Sequence, residues 1–253
     1  MSGLAATELR LRLGAQQVLD GVTFSLRAGE LVILAGRNGA GKTTLLRALI
    51  GALATDGGCV ELEGKPLLAW PGRARARQLG FVPQSVDTPF EFTGRELVTM
   101  GRHPHRGRGE GLRPDDEAAI ERALLAVDAR SFADRRVTTL SGGEQRRIAV
   151  ARALATDAPL LLLDEPTNNL DLEHALQLVG MLRRMATAGR GVLVASHDLN
   201  LIAPHCDRVV LLHQGRVFAD APPQQALAPA NVAAVFGVQS VTAGGFFPRE
   251  FRL

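Results

Sequence analysis

Leu31-Val32-Ile33-Leu34-Ala35-Gly36-Arg37-Asn38-Gly39-Ala40-Gly41-Lys42-Thr43-Thr44-Leu45-Leu46-Arg47-Ala48-Leu49-Ile50 decides the fold. Its first residues form a short continuous apolar run, the pattern of a buried strand. Residues 44–50 read as a helix closed by Gly51. Between them, Gly36 to Thr43 fits GxxxxGK[ST] in the strand–loop–helix context that this pattern requires. Glycines let the backbone wrap closely around a phosphate, and the amides at the helix start bind the anion. Lys42 then reaches the terminal phosphates, and Thr43 offers its hydroxyl to a magnesium ion. Only Lys42 and Lys65 among the 29 cationic residues are lysine, so a compact ammonium stands where phosphate chemistry uses one.

Outward from this loop, the chain alternates strand and helix signals. Leu9, Leu11 and Leu13 alternate with Arg10 and Arg12, and Val22, Phe24 and Leu26 alternate after the Asp20-Gly21 turn. Both read as antiparallel, half-buried strands. Pro114 followed by Asp115, Asp116 and Glu117 has the form of a helix start, and Ile120, Leu124 and Val127 recur at helical spacing. Strand signals return at Leu160–Leu163, Val192–Val194 and Arg208–Leu212, with a helix around 174–188 between the first two. Gln214-Gly215 turns the last of these strands back on itself. Residues after 219 carry Pro222, Pro223, Pro229 and Pro248 and read as a loosely structured cap. This pattern implies an α/β fold with a mainly parallel sheet covered on both faces.

Composition narrows the function classes. The chain has 253 residues, 46% of them apolar and 22% charged, which suits a large folded core rather than a disordered or fibrous chain. No apolar run approaches the roughly 18 residues of a membrane span, and the first residues do not have the form of a secretion signal. Cys59 and Cys206 form neither a disulfide framework nor a metal knuckle. The net charge is +3, without a long basic tract or an aromatic-interleaved stripe, and there is no tyrosine. Nucleic-acid binding therefore has little support.

A second platform for an anion is written at Leu140-Ser141-Gly142-Gly143-Glu144-Gln145. Ser141 and Glu144 make an S-x-x-E capping box. The two glycines strip side chains from the positive end of the helix that follows. Leu160–Leu163 leads into Asp164 and Glu165: a carboxylate at a strand end suits Mg²⁺, and the next one suits activation of a water. His197 also ends a strand, on the same expected ligand-bearing edge.

Taken in order, these segments resemble the ATP-binding cassette family across roughly residues 5 to 220. LSGGEQ resembles its signature motif, and Gln84 in FVPQ its Q-loop. Leu160–Pro166 resembles Walker B with the catalytic glutamate, Asn168-Asn169-Leu170-Asp171 the D-loop, and His197 in ASHD the switch histidine. The resemblance implies a P-loop NTPase (RecA-like) core, 1–85 and 155–218, carrying an antiparallel β subdomain. A helical subdomain with the signature would occupy 86–154, and a C-terminal extension 219–253. It implies ATP and Mg²⁺ as cofactors, with Glu165 and His197 catalytic. Gly36, Arg37, Asn38, Gly39, Ala40, Gly41, Lys42, Thr43 and Thr44 would hold the nucleotide, while Thr43, Gln84 and Asp164 would hold the metal. Ser141, Gly142, Gly143 and Glu144 would reach the nucleotide of a partner in a head-to-tail homodimer, with Asp171 at that interface.

Two departures from the family pattern stand out. The position of the usual adenine-stacking aromatic is Leu13, which predicts apolar contact with the base in place of stacking. The D-loop reads NNLD where SALD is commoner, so Asn169 is bulkier than the usual alanine.

Among cassette proteins, ribosome-acting members resemble two cassettes in tandem, and DNA-repair members insert long coiled coils before the signature. One motif set, with only 98 positions from Thr43 to Ser141, fits neither well. A transport ATPase is the expectation, and a non-transport cassette acting on nucleic acid or the ribosome is the alternative. Phe92–His105 (FTGRELVTMGRHPH) is similar to a stretch typical of ATPases serving importers of iron chelates (siderophores), cobalamin and haem. That resemblance implies a peripheral subunit on the cytoplasmic face of the cell membrane. Its partners would be membrane permease subunits and, indirectly, a substrate-binding protein. His103 and His105 read as part of a solvated loop rather than as metal ligands.

Overall fold

A computed structural model describes residues 3–85, 91–107 and 109–238. In chain order the first elements are β1 (Gly3–Leu13), β2 (Gln16–Arg27), β3 (Leu31–Ala35), α1 (Lys42–Leu49), β4 (Gly57–Leu62) and β5 (Lys65–Pro66). Next come α2 (Gly72–Gln78), β6 (Leu79–Val82), α3 (Gly94–Met100), α4 (Pro114–Ala126), α5 (Gly142–Ala155) and β7 (Leu160–Asp164). The described chain ends with α6 (Leu172–Thr187), β8 (Gly191–Ala195), α7 (Leu199–Ile202), β9 (Arg208–His213), β10 (Arg216–Ala221), α8 (Pro223–Ala226) and α9 (Pro229–Phe236). Residues 86–90, Arg108 and the end of the C-terminal extension, Pro248 included, lie outside the described residues.

Two sheets form. One has four strands in the order β2-β1-β4-β5, all antiparallel. The other has six, in the order β10-β9-β3-β8-β7-β6, parallel from β9 to β6 with β10 antiparallel at the edge. Every residue of β3, β7 and β8 is buried, as their continuous apolar runs require. The alternation of side chains splits β3 between two cores. Leu31, Ile33 and Ala35 join a cluster with residues of α3, α4, α5 and α6, whereas Val32 and Leu34 join one with α1 and the antiparallel sheet. The six-stranded sheet is thus the middle layer, and the phosphate loop emerges where β3 leaves it. Each fully buried leucine contributes about 1.5–3 kcal/mol, so the sheet anchors the loop firmly.

The antiparallel sheet reads directly from its sequence. Leu9 and Leu11 are buried between exposed Arg10 and Arg12. Leu13 extends the alternation in sequence but not in burial: it is 50% exposed at the hairpin end, paired with Gln16. The Gln214-Gly215 turn has positive φ at both positions (48° and 75°), the geometry that matches the twist of a two-residue hairpin.

The helices between β6 and β7 are fastened by polar contacts. Thr93 and Glu96 cap α3 reciprocally. Pro114 opens α4 with three acidic residues in its first turn. Arg102 and Asp116 form a buried pair at 2.8 Å, and Arg102 also donates to the Ala155 carbonyl at the end of α5. One guanidinium therefore ties α3, α4 and α5 together. His105 donates from Nε2 to the Thr156 carbonyl at 2.7 Å, so it serves the same junction. Among the described residues no group of three or more His, Cys, Asp or Glu could hold a metal ion.

Residues after 219 depart from the expected loose cap. Pro223 and Pro229 each stand at the start of a short helix, α8 and α9. A proline there loses no intrahelical hydrogen bond, because the first amides have no partner in any case.

Candidate active site

Gly41 is the N-cap of α1 and takes φ 102°, which a side chain would strain; a Cβ there would lie 3.0 Å from the Val18 carbonyl oxygen. Gly41 offers no side-chain cap, so the first-turn amides and positive dipole end of α1 suit an anion. Two adjoining cavities, of about 410 and 750 Å³, share Asn38, Gln84 and Glu165 in their walls. Gly39, Gly41, Lys42, Thr43 and Thr44 line the first; Gly36, Arg37 and His197 line the second. Ala40 is buried in the core beneath the loop and lines neither.

Lys42 is buried, and its Nζ donates to the carbonyls of Gly36 (2.8 Å) and Arg37 (3.3 Å). Burial pushes its pKa down, while the charges of Glu165 and Asp164 oppose that shift. The ammonium thus sits inside the loop, within electrostatic reach of the two carboxylates.

Asp164 is the last residue of β7 and is 1% exposed. Neither carboxylate oxygen has a hydrogen-bond partner among the described residues. Burial raises its pKa; the Thr43 hydroxyl beside it opposes this without reaching hydrogen-bond geometry, the charge of Glu165 adds to the rise, and Arg146 and Lys42 counter it. Two orphaned, buried carboxylate oxygens next to a threonine hydroxyl suit a hard divalent cation with oxygen ligands, and magnesium fits this donor set. Gln84 lines both cavities, whereas the buried Asp164 lines neither.

Glu165 follows with φ 49°, a left-handed conformation held by its amide donating to the Ala195 carbonyl at 2.9 Å. Such local strain is typical of functional positions. Its side chain is buried, and Oε2 accepts from His197 Nδ1 at 2.8 Å and from the His197 amide at 3.4 Å. With Nδ1 donating, the imidazole presents Nε2 toward the cavity.

The second platform has the expected cap. Ser141 Oγ accepts from the Glu144 amide at 3.3 Å, and Glu144 accepts from the Ser141 amide at 2.7 Å and from Arg135 at 3.0 Å. Ser141 and Gly142 are exposed. Gly142 and Gly143 pack on the chain's own D-loop: a Cβ on Gly143 would lie 2.9 Å from the Asn169 carbonyl oxygen, and one on Gly142 3.4 Å from the Asn169 Cβ. Asn169 itself has φ 64°, a conformation that asparagine tolerates better than most residues. Asp171 is occupied as the cap of α6, accepting from the His174 amide at 2.9 Å and from its ring at 2.7 Å. Among the described residues, none of Ser141–Glu144 lines either phosphate-loop cavity. The chain does not bring its own two platforms together.

Three contributions went unseen in the sequence. Leu13 lies outside both cavity walls, because the hairpin turns it to solvent; Gln16 and Val18 of β2 line the wall instead. Val232 and Phe236 of α9 form part of the second cavity beside His197. Arg146 of α5 is buried against the ends of β6 and β7.

Comparison with known proteins bears on the family and the fold. The sequence profile of the ABC transporter family matches residues 19–168. The hemin import ATP-binding protein HmuV of Streptomyces coelicolor is 45% identical over 92% of this chain and 82% of its own length. The HmuV of Pseudomonas putida is 46% identical over 91% of each chain. The cobalamin import ATP-binding protein BtuD of Halobacterium salinarum is 43% identical over 92% of this chain and 58% of its own length. Among solved structures, an inward-facing ABC transporter assigned to the metal-chelate type superposes with a TM-score of 0.81 at 28% identity, over 94% of this chain and 90% of that one. A bacterial ABC transporter cassette solved as a dimer gives 0.79 at 25% identity, over 87% and 98%. On this fold, this loop and these relatives, the chain belongs to the ABC transporter family and is one of its ATP-binding, ATP-hydrolysing subunits.

Proposed function

We propose that this subunit drives import of a metal chelate of the haem and cobalamin type, with haem as the first cargo to test. The observation that carries the cargo reading is the 43–46% identity, over more than nine-tenths of this chain, to subunits named for hemin and cobalamin import. The Phe92–His105 stretch supports the wider class, iron-siderophore chelates included. A non-transport role on nucleic acid or the ribosome finds no support in those relatives.

The residues divide the work as follows. The backbone of Gly36–Thr44 and the start of α1 hold the phosphates of ATP, and Lys42 neutralises the terminal one. Thr43, Asp164 and Gln84 are the residues to hold a magnesium ion, which when bound neutralises charge on the phosphate oxygens. Glu165 takes a proton from water as the water oxygen attacks the γ-phosphorus. The bond to the bridging oxygen breaks, and ADP and phosphate leave. His197 holds the Glu165 carboxylate and offers Nε2 to the γ-phosphate side of the cavity.

Ser141–Glu144 of a second copy would complete each site, so ATP would bridge two subunits and its hydrolysis would release them. That opening and closing would be transmitted to permease subunits at the inner face of the membrane, outside which a substrate-binding protein delivers the cargo. Among the described residues no helix is long and apolar enough to cross a membrane, which suits a subunit that works through a separate permease. The test is uptake. Cells lacking this subunit should lose accumulation of labelled haem and regain it with the intact chain but not with Lys42→Ala. Unchanged haem uptake, with loss of cyanocobalamin or ferric-siderophore uptake, would move the cargo within the class.

A further inference from the structure

We infer that Arg146 is a positioning residue that locks the signature helix α5 to the backbone flanking Gln84 and Asp164, so that the signature platform and the metal-facing side of the site move as one body. The inference rests on the ATPase reading but is tested apart from it.

Arg146 is the fifth residue of α5, within two turns of Ser141, and it is 5% exposed despite its charge. Its guanidinium meets four backbone carbonyls. Nη1 donates to Pro83 at 2.5 Å and to Gln84 at 3.3 Å; Nε donates to Pro166 at 3.2 Å; Nη2 donates to Asp164. Pro83 and Gln84 follow the end of β6, and Asp164 and Pro166 bracket Glu165 at the end of its neighbour β7. Carbonyls just past the end of a strand have left the ladder and need partners elsewhere. A planar fork with five donors can meet four carbonyls on two adjacent strand ends at once, whereas an ammonium, with three donors, cannot meet all four. The charges of Asp164 and Glu165 compensate the buried cation, whose pKa burial nonetheless lowers to about 10. It stays protonated at neutral pH.

The targets distinguish this contact from core packing. Every carbonyl that it holds belongs to, or lies next to, a residue of the candidate site. Since α5 also carries Ser141–Glu144, a rotation of the helical segment cannot occur without dragging or breaking these bonds. Gln84, at the head of the chain leading into α3, is held in the same grip.

The experiment compares the full-length chain with Arg146→Gln and Arg146→Lys. Hydrogen exchange on the nucleotide-free proteins reads positioning without turnover. For Arg146→Gln, exchange at residues 79–84 and 164–169 should rise by about tenfold or more, while α1 and β3 stay within about twofold. Steady-state kinetics should show kcat down by about tenfold or more with the KM for ATP within about threefold, and Arg146→Lys should recover part of the loss. Uniformly raised exchange would mean global destabilisation and overturn the inference, as would unchanged exchange at the two strand ends. Raised exchange there with unchanged kcat would also overturn it. If wild type itself has no ATPase activity, the ATPase reading fails while the exchange result stands. If Arg146→Gln does not fold, Arg146→Lys, which keeps the charge and loses the fork, carries the same measurements.

Discussion

His197 Nδ1 stands 2.8 Å from Glu165 Oε2, across the ends of the neighbouring parallel strands β8 and β7. A carboxylate only accepts, so the ring proton is on Nδ1 and the two side chains act as a unit. Glu165→Gln keeps size and hydrogen-bonding capacity but cannot take a proton. Its kcat should fall by about 10²–10⁴-fold with ATP affinity nearly unchanged. His197→Ala should also slow turnover, and the double variant should be little worse than Glu165→Gln alone. Steady-state rates and equilibrium nucleotide binding on all three decide it. Near-normal turnover in Glu165→Gln would assign the base elsewhere.

Asp164 gives a prediction of opposite sign for stability and activity. Burial, reinforced by the charge of Glu165, raises its pKa. Its contribution to stability is therefore full below the unfolded-state pKa and is lost as pH rises through the raised folded value. Where it is charged, the carboxylate has the compensating charges of Arg146 and Lys42 but no hydrogen-bond partner among the described residues, and burial outweighs that compensation. Asp164→Asn should therefore raise stability above the folded-state pKa, by less than the full burial cost because Arg146 loses a compensating charge, and the gain should shrink as the pH falls through that value. The same variant should lose magnesium-dependent hydrolysis. Thermal melts between neutral and mildly acidic pH, with a magnesium titration of activity, check both halves.

Arg102 and Asp116 predict the reverse pH trend. Burial alone would raise the Asp116 pKa, but the Arg102 hydrogen bond, the Arg113 amide and both cations outweigh it, and the net shift is downward. Its contribution is therefore present above the unfolded-state value and is lost as pH falls through the folded one. Arg102→Met removes the closer cation and leaves Asp116 only the Arg113 guanidinium at 3.7 Å and the Arg113 amide, and should cost about 1.5–3 kcal/mol at neutral pH, the worth of a hydrogen bond to a charged group. The gap to wild type should narrow in acid. Denaturant titrations at two pH values measure it.

The three-layer core was legible because its signals are local. Continuous runs such as Leu160–Leu163 and the strand–loop–helix at Leu31–Ile50 state burial and backbone geometry in consecutive residues. Helix α2, Gly72–Gln78, has no buried residue and so carries no apolar stripe to read. Helix α9 was masked by prolines that in fact start helices. Within the site, motif residues could be read one by one, whereas Val18 and Arg146 depend on long-range placement. Nothing near residue 146 announces that it faces carbonyls at positions 83 and 164.

The wall beside the phosphate loop carries a prediction about the base. Val18 lines the first cavity, while Leu13 is turned to solvent. If the adenine lies against Val18, Val18→Ala removes two methyl groups of apolar contact and should weaken ATP binding by about 1–2 kcal/mol, with kcat at saturation nearly unchanged. Leu13→Tyr should leave affinity within about twofold, because a ring there has no place in the wall. Fluorescent-nucleotide titrations of both variants decide it. A marked gain in affinity from Leu13→Tyr would return the base to Leu13.

The two anion platforms yield the last prediction. Gly36–Thr44 surrounds one cavity system, and Ser141–Glu144 lines no part of it in the same chain. One transferred phosphate cannot use both unless a second copy supplies the other, as in a head-to-tail pair with two-fold symmetry. A cassette of this fold has been solved as a dimer. Binding of ATP should then drive dimerisation by linkage, and Glu165→Gln should hold the dimer by preventing hydrolysis. Gly142 is exposed, and a Cβ there would only touch Asn169 at 3.4 Å, so a side chain can be added without disrupting the fold. Gly142→Asp puts a carboxylate on the platform and sets it against the partner's phosphate. Two like charges about 4 Å apart at an effective dielectric near 20 repel by about 4 kcal/mol, and the pair has two such sites, each alone enough for roughly a thousandfold loss of dimer. Sizing chromatography with light scattering on Glu165→Gln, with and without Gly142→Asp, at saturating ATP, reads the outcome. The single variant should run as a dimer and the double as a monomer that still binds one ATP. A double variant that dimerised equally well would place the signature platform outside the partner's nucleotide site.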